Sequence, residues 1–405
     1  MKKSHSISTH NIRIMFWVSF FGTINFIAPV LTLFYLGRGL EAIHILWLQI
    51  FWSGAVLLGE VPGGVVADRY GAKTSFLIGV IIKIISITIL IFAYEPWLFF
   101  LFSALNGLSV TFFSGANEAL VYESLKQDNE HHRMDRAMGK IQSAGFVSMI
   151  LAVVFGAFLA KDLKDEQFIF LIVLGLVFHV AEFFLIFLLK DPMNTGVDRE
   201  NPFTQVKSGI KAIRKEPTLL LLFLNFTLVF IPADSVYEAF NQPIFVHAGL
   251  PVVFIGVLYA LAAIGGFIVS QSVGWFSSRF TRKFLMGITG ILASFGLLLS
   301  ALFGESLWIV MGAFFVLRFG QAIRGPIYSQ LKNDLIPSEV RATTLSLISV
   351  LDSAFDLILF GLLSVVAING LNGILIASSV IALIGTLIPL QVRKRRVEVK
   401  KSAVM

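Results

Sequence analysis

Twelve blocks of about twenty apolar residues recur along this chain, and no other feature narrows its possible folds as much. They cover approximately residues 12–36, 44–67, 75–93, 97–121, 140–160, 167–189, 218–246, 252–276, 283–302, 306–330, 342–366 and 369–391. A helix rises about 1.5 Å per residue, so each block can cross a hydrocarbon core of about 30 Å. A soluble protein needs a charged coat, yet only 14% of these 405 residues are charged, against about 25% in ordinary soluble domains. Inside lipid every backbone N–H and C=O must be satisfied within its own segment, which makes each block a helix. The reading is an all-α membrane protein of twelve transmembrane helices.

The basic residues orient it. With the N-terminus inside, 26 of the 32 Lys and Arg fall on the cytoplasmic side, while the outer loops hold only Arg38, Lys161 and Lys164. That asymmetry predicts both termini in the cytoplasm. The basic tail at Arg393–Arg396 suits anionic lipid better than nucleic acid. The first block is too long for the core of a signal peptide, so it is read as a retained helix. Cysteine is absent, which rules out disulfides and thiolate metal sites. His179 and Glu182, three apart in span six, have no third ligand in view. No metal, cofactor or nucleic-acid partner is expected.

The longest polar interruption, 190–217, carries Phe203, Val206, Ile210 and Ile213 on one helical face and Lys207, Lys211, Arg214 and Lys215 elsewhere. It reads as an interfacial helix on the cytoplasmic leaflet. It divides the chain into a six-helix bundle at 1–189, a linker at 190–217, and a second bundle with a basic tail at 218–405. The halves echo each other. Gly64–Lys73 follows span two and Gly274–Lys283 follows span eight, an offset of 210. Tyr122–Lys126 and Tyr328–Lys332 follow spans four and ten at 206, and Arg136-Ala137 matches Arg341-Ala342 at 205. Three echoes at nearly constant offset predict a duplicated unit whose copies are related by a pseudo-two-fold axis.

The loop after span two reads Gly64, Asp68, Arg69, Gly71 and Lys73, with Ala72 in the place before the lysine. This resembles the loop signature Gly-x-x-x-Asp-Arg-x-Gly-Arg-Lys of the major facilitator superfamily, departing only at Ala72. Glu60-Val61-Pro62-Gly63-Gly64, Arg324-Gly325-Pro326 and Arg341-Ala342-Thr343 are similar to a bacterial exporter-like branch of that family. The resemblance implies the major facilitator fold and a secondary carrier, monomeric, in a bacterial cytoplasmic (inner) membrane. It also implies that Glu60, Gly64, Asp68, Arg69, Gly71, Lys73 and Arg341 form a cytoplasmic gate between the bundles. Gly64 would permit close helix approach, and Asp68 would accept hydrogen bonds from the N-terminal end of span eleven, where the macrodipole favours an anion. The Gly-Pro-x-x-Gly-Gly motif of the family's drug–proton antiporters is missing from span five, which has no proline.

Ionisable groups within spans are costly and point to function. Asp352 and Asp356 on span eleven lead the candidates. Asp352 lies roughly 15 Å along the span from Ala342, close to the midplane. Four-residue spacing puts both carboxylates on one face, where two like charges in a poorly hydrating medium favour holding a proton. Arg318 on span ten is either their counter-ion or a site for an anionic substrate group. Span seven carries Asp234, Tyr237 and Glu238 in its outer half between Pro232 and Pro243, the pattern of a broken helix lining a cavity. Asn25 in span one is a candidate substrate contact, and Lys83, His179 and Glu182 read as a buried ion pair in supporting helices. The expected function is alternating-access transport, foremost the proton-coupled efflux, by antiport, of small amphipathic or cationic compounds. Import of a sugar or organic anion is the second reading. A third, an intramembrane enzyme or receptor on the same scaffold, lacks any nucleophile–base pair or nucleotide motif, and no enzyme is expected.

Overall fold

The computed structural model describes residues 6–192, 217–336 and 341–390. The linker helix expected within 190–217 and the basic tail therefore lie almost wholly outside the described residues. The described residues contain eleven apolar segments long enough to cross a membrane, the last of which, Leu347–Leu387, runs for 41 residues. At about 1.5 Å per residue that is twice the hydrocarbon thickness. A 3₁₀ turn at Ala367–Asn369 and Gly370, with φ of 70°, divide it into two helices. Twelve crossings result, and an even number returns the chain to the side on which it began.

Span one is α1 (Ile7–Thr23) and α2 (Leu31–Gly37); span two is α3 (Ala42–Tyr70) and span three α4 (Ala72–Ile91). Span four is α5 (Pro96–Thr111) with α6 (Ala116–Gln127); spans five and six are α7 (Met134–Leu159) and α8 (Asp165–Phe187). Span seven is α9 (Pro217–Phe230) and α10 (Tyr237–His247), and span eight is α11 (Val252–Gln271) with α12 (Val273–Arg279). Spans nine to twelve are α13 (Arg282–Leu302), α14 (Leu307–Leu335), α15 (Arg341–Val366) and α16 (Gly370–Leu387).

Two six-helix bundles follow from the packing. In the first, α3 lies on α5, α4 on α5 and α8, and α1 on α7; in the second, α13 lies on α14 and α16, and α9 on α16. The bundles meet where α3 lies along α15, α7 along α11, and α2 against α10. Small residues set those approaches. A Cβ at Gly256 would strike the Val153 carbonyl across the seam, and within the first bundle one at Gly156 would strike the Phe26 carbonyl. Phe155, Phe170, Phe254, Phe295 and Trp308 stand exposed around the outside, an apolar surface too extensive for water and suited to lipid tails.

Spans one and four differ from the continuous helices expected, and span seven from the broken one. Span one stops at Thr23, is extended at Ile24, and resumes through a 3₁₀ turn at Ala28–Val30; Pro29 has no N–H to continue the ladder. Span four breaks before Gly115, whose φ of 70° excludes most side chains, and then continues to Gln127. Span seven is not severed between its prolines. Ile231–Val236 forms a π-helical turn, which absorbs the donor missing at Pro232 by widening the helix locally.

Candidate functional site

The seam between the bundles is where polar side chains gather. Asp356, midway along α15, accepts a hydrogen bond at 3.1 Å from Ser53 Oγ of α3 in the other half. Beside them Gly54 faces Leu357. Asp352, one turn earlier, accepts from Thr227 Oγ1 of α9 at 3.0 Å, with Lys332 of α14 within electrostatic reach. The two carboxylates share a helix face, as their spacing requires, yet one reaches across the seam and the other stays within its own half.

Arg318 is the counter-ion of neither. Its Nη1 lies 2.9 Å from Asp234 Oδ1 and its Nη2 3.1 Å from Glu238 Oε2. Asp234 sits in the π-turn and Glu238 one turn on, so span seven presents both carboxylates to one guanidinium. The expected pairing with span eleven fails because Asp352 and Asp356 are directed to Thr227 and Ser53 instead. The arginine cluster has two carboxylates to one guanidinium, with side-chain exposures of 27% for Arg318, 22% for Asp234 and 55% for Glu238. Tyr237 is buried, within electrostatic reach of Arg318, and its hydroxyl meets Ser300 Oγ of the second bundle at 3.4 Å. Tyr259 of α11 joins the cluster, hydrogen-bonded to Asn241 Oδ1 and within electrostatic reach of Arg318. Sequence reasoning missed Tyr259, Ser53 and Thr227, because nothing about an uncharged hydroxyl in an apolar run sets it apart.

On the side away from the termini, Gln242 clasps the two halves. Its Oε1 accepts from Thr32 N and its Nε2 donates to the Ala28 carbonyl, both at 2.8 Å, while Thr32 Oγ1 donates to the Ala239 carbonyl at 2.8 Å. The break in span one leaves the Thr32 N–H without a helical partner, as any helix start does; Gln242 satisfies it and adds a second donor to the Ala28 carbonyl, which also accepts from Leu31 N. Asn25, in that break, is exposed and lines a cavity of about 60 Å³ with Asn106, Ile87 and Ile172.

The loop signature divides into parts with different surroundings. Gly71, with φ of 86°, joins α3 to α4 in a conformation that needs glycine. Lys73 Nζ donates to the carbonyls of Phe187 and Leu189 at 2.7 and 3.0 Å, tying span three to the end of span six within one half. Glu60 accepts from Ser114 Oγ at 3.2 Å, also within that half. Gly64 has open space at its Cβ position; the close approach to span four belongs to Gly63, where a Cβ would lie 2.6 Å from the Thr111 carbonyl. That corrects the expected role of Gly64. Asp68 and Arg69 are exposed in the last turn of α3, with Arg69 over the Tyr70 ring at 5.5 Å. The backbone of α15 begins at Arg341, whose side chain lies outside the described residues.

Elsewhere the expected buried group is present: Lys83 Nζ is 3.5 Å, and His179 Nδ1 2.9 Å, from Glu182 Oε2. Arg324 is fully buried and bonded to the carbonyl and side chain of Asn225 at 2.8 and 2.9 Å and to the Met286 carbonyl.

Known proteins bear on this arrangement in three ways. The nucleoside transporter NupG superposes with a TM-score of 0.73 at 16% identity, covering 94% of this chain and 95% of that one. A D-xylose-proton symporter gives 0.72 at 13% identity, covering 95% and 97%; at such identities the likeness concerns the fold. The multidrug resistance protein MdtH of Yersinia enterocolitica is 30% identical over 118 residues, which is 29% of this chain and 27% of that protein. The chain thus matches about a quarter of the length of these curated relatives. A family model described as Major Facilitator Superfamily matches residues 14–355, and with the twelve crossings and two bundles this chain belongs to that family of membrane transporters.

Proposed function

We propose that this protein is a proton-coupled exporter of small amphipathic or cationic compounds, working by alternating access. The observation that carries the reading is the bond between Ser53 and Asp356, an ionisable group at mid-depth on the seam, held by the opposite half. A carboxylate there exchanges partner as the halves rock, so its proton occupancy and the conformation are linked. The net negative cluster of Asp234, Glu238 and Arg318 supports a cationic rather than an anionic substrate, because both arms of the guanidinium already hold carboxylates. Organic-anion import loses its main support for the same reason. The partial likeness to MdtH supports efflux.

The same reading places the protein in a bacterial cytoplasmic membrane, monomeric, with both termini inside, divided at 1–189, 190–217 and 218–405. Since the chain has no cysteine, a single one can report sidedness. Lys164→Cys should react with an impermeant thiol reagent outside intact cells, and Lys207→Cys should not. Function is tested in inverted vesicles with an imposed pH gradient and a panel of cationic amphiphiles. Substrate-induced proton release from the lumen is expected, and flux indifferent to the gradient would sink proton coupling.

A further inference from the structure

We propose a second binding site, for the phosphate of an anionic phospholipid headgroup, in the cleft between spans one and five at the membrane face that holds the N-terminus. The two helices touch at Gly145, where a Cβ would lie 3.1 and 3.0 Å from Ser19 Oγ and Thr23 Oγ1. Nearer the chain start a cleft of about 180 Å³ is lined by Thr9 and Ile12 of α1 and by Arg133, Arg136 and Lys140. Spacings of three and four put those three cations on one face.

Their placement does nothing for the helix. They occupy the entry and first two turns of α7, where the macrodipole repels cations and attracts anions. Nor does the protein neutralise them. Glu130, also on the cleft, holds Arg133 at 2.6 Å, and Lys140 lies over the Phe16 ring at 5.9 Å, but Arg136 has no carboxylate partner among the described residues. The nearby Asp128 is already taken by Ser6 Oγ and Ser8 N. The cleft is left with two uncompensated positive charges.

What stands above it selects a lipid. Phe16, Trp17, Phe20 and Phe21 form a chain of ring contacts climbing α1 from the cleft, with centroids 5.3, 5.8 and 5.5 Å apart. Trp17 is 44% exposed on that outer surface. A basic base beneath an aromatic, lipid-facing wall matches a molecule with an anionic head and apolar tails. A free phosphate would use the base and leave the wall idle.

The test uses Thr9→Cys in the otherwise cysteine-free chain, purified and reconstituted, with labelling by neutral N-ethylmaleimide. Vesicles contain phosphatidylcholine alone, phosphatidylcholine with phosphatidylglycerol, or phosphatidylcholine with inorganic phosphate in the buffer. Phosphatidylglycerol should slow labelling several-fold. Arg136→Gln and Lys140→Gln should each weaken that protection roughly fivefold, the factor expected for one basic side chain at an anionic surface. Lys126→Cys, exposed on the same face outside the cleft, should label at one rate in all three. Slowing at Lys126→Cys as well, or protection that survives both substitutions, would overturn the site. Protection by inorganic phosphate as complete as that by lipid would overturn the lipid assignment.

Discussion

The two halves repeat one fold but handle buried charge in opposite ways. The first half closes Lys83, His179 and Glu182 into a set in which each charge has a partner within 3.5 Å. The second half buries Arg324 with carbonyl and amide oxygens and no carboxylate among the described residues, and it leaves Asp234, Glu238 and Arg318 partly exposed. Across the seam the first half offers Ser53 and Thr32, hydroxyls that can follow a moving partner without changing charge. The second half supplies the ionisable members. The two copies thus share a scaffold but differ at the seam, one contributing a carboxylate and the other hydroxyls.

The largest effect should come from breaking the first half's charge set. Glu182→Gln strands Lys83 in an apolar interior at about 3–5 kcal/mol, so membrane abundance should collapse. Adding Lys83→Met removes the stranded charge and should restore most of it. Arg324→Met has no such rescue among the described carboxylates. It leaves the buried Asn225 Oδ1 without its donor, at about 1–3 kcal/mol, and abundance should fall by itself. If Glu182→Gln inserts normally, or if Lys83→Met does not help it, the halves do not differ as described.

The second effect falls on turnover. Asp356→Asn keeps an acceptor for Ser53 but cannot release a proton. At equal abundance, gradient-driven transport should drop at least tenfold, about 1.4 kcal/mol, while substrate exchange persists. Ser53→Ala removes one neutral hydrogen bond worth about 0.5–1.5 kcal/mol and should slow transport only a few-fold. Equal losses in the two variants would make the bond itself, and not the proton, the important feature. Asp68→Asn should also slow transport without loss of abundance, and an unchanged rate would remove Asp68 from the gate.

How much of this was legible in the sequence follows from what each feature depends on. Span count and duplication rest on composition and on repeated loop residues, which act locally. The Lys83 and Glu182 pair was legible because a charge inside a span must find another. The partners of Arg318 on span seven were not legible because depth along a helix follows from counting, whereas facing does not. The π-turn at Ile231–Val236 and the break at Ile24 both alter facing, and each was marked only by a nearby proline. Gly63 and Gly64 are adjacent and alike in sequence; only the direction of one helix face decides that Gly63 meets Thr111.

The smallest effect tests the comparison at its most symmetric point. Asp128 and Asp334 are equivalent by the offset of 206 that relates Tyr122 to Tyr328, yet their partners differ. Asp334 pairs with Arg282 at 3.3 Å, with half its side chain exposed, a contact worth about 0–1 kcal/mol. Asp128 instead accepts from Ser6 Oγ at 2.5 Å and Ser8 N at 2.7 Å, anchoring the start of α1 much as a capping residue does, about 1 kcal/mol. Partial burial acts to raise the Asp128 carboxyl, but those hydrogen bonds outweigh it and hold the group below its ordinary value of 3.8. A carboxyl lowered on folding stabilises the folded state above its unfolded value, and that contribution fades as the pH falls through the folded value. Asp128→Asn should therefore lower the melting temperature of the purified protein by a few degrees at neutral pH, more than Asp334→Asn does. The gap between wild type and Asp128→Asn should narrow as the pH falls below about 4. A gap that stays constant into acid would mean that the charge of Asp128 contributes nothing and that the two aspartates are as equivalent in energy as in position.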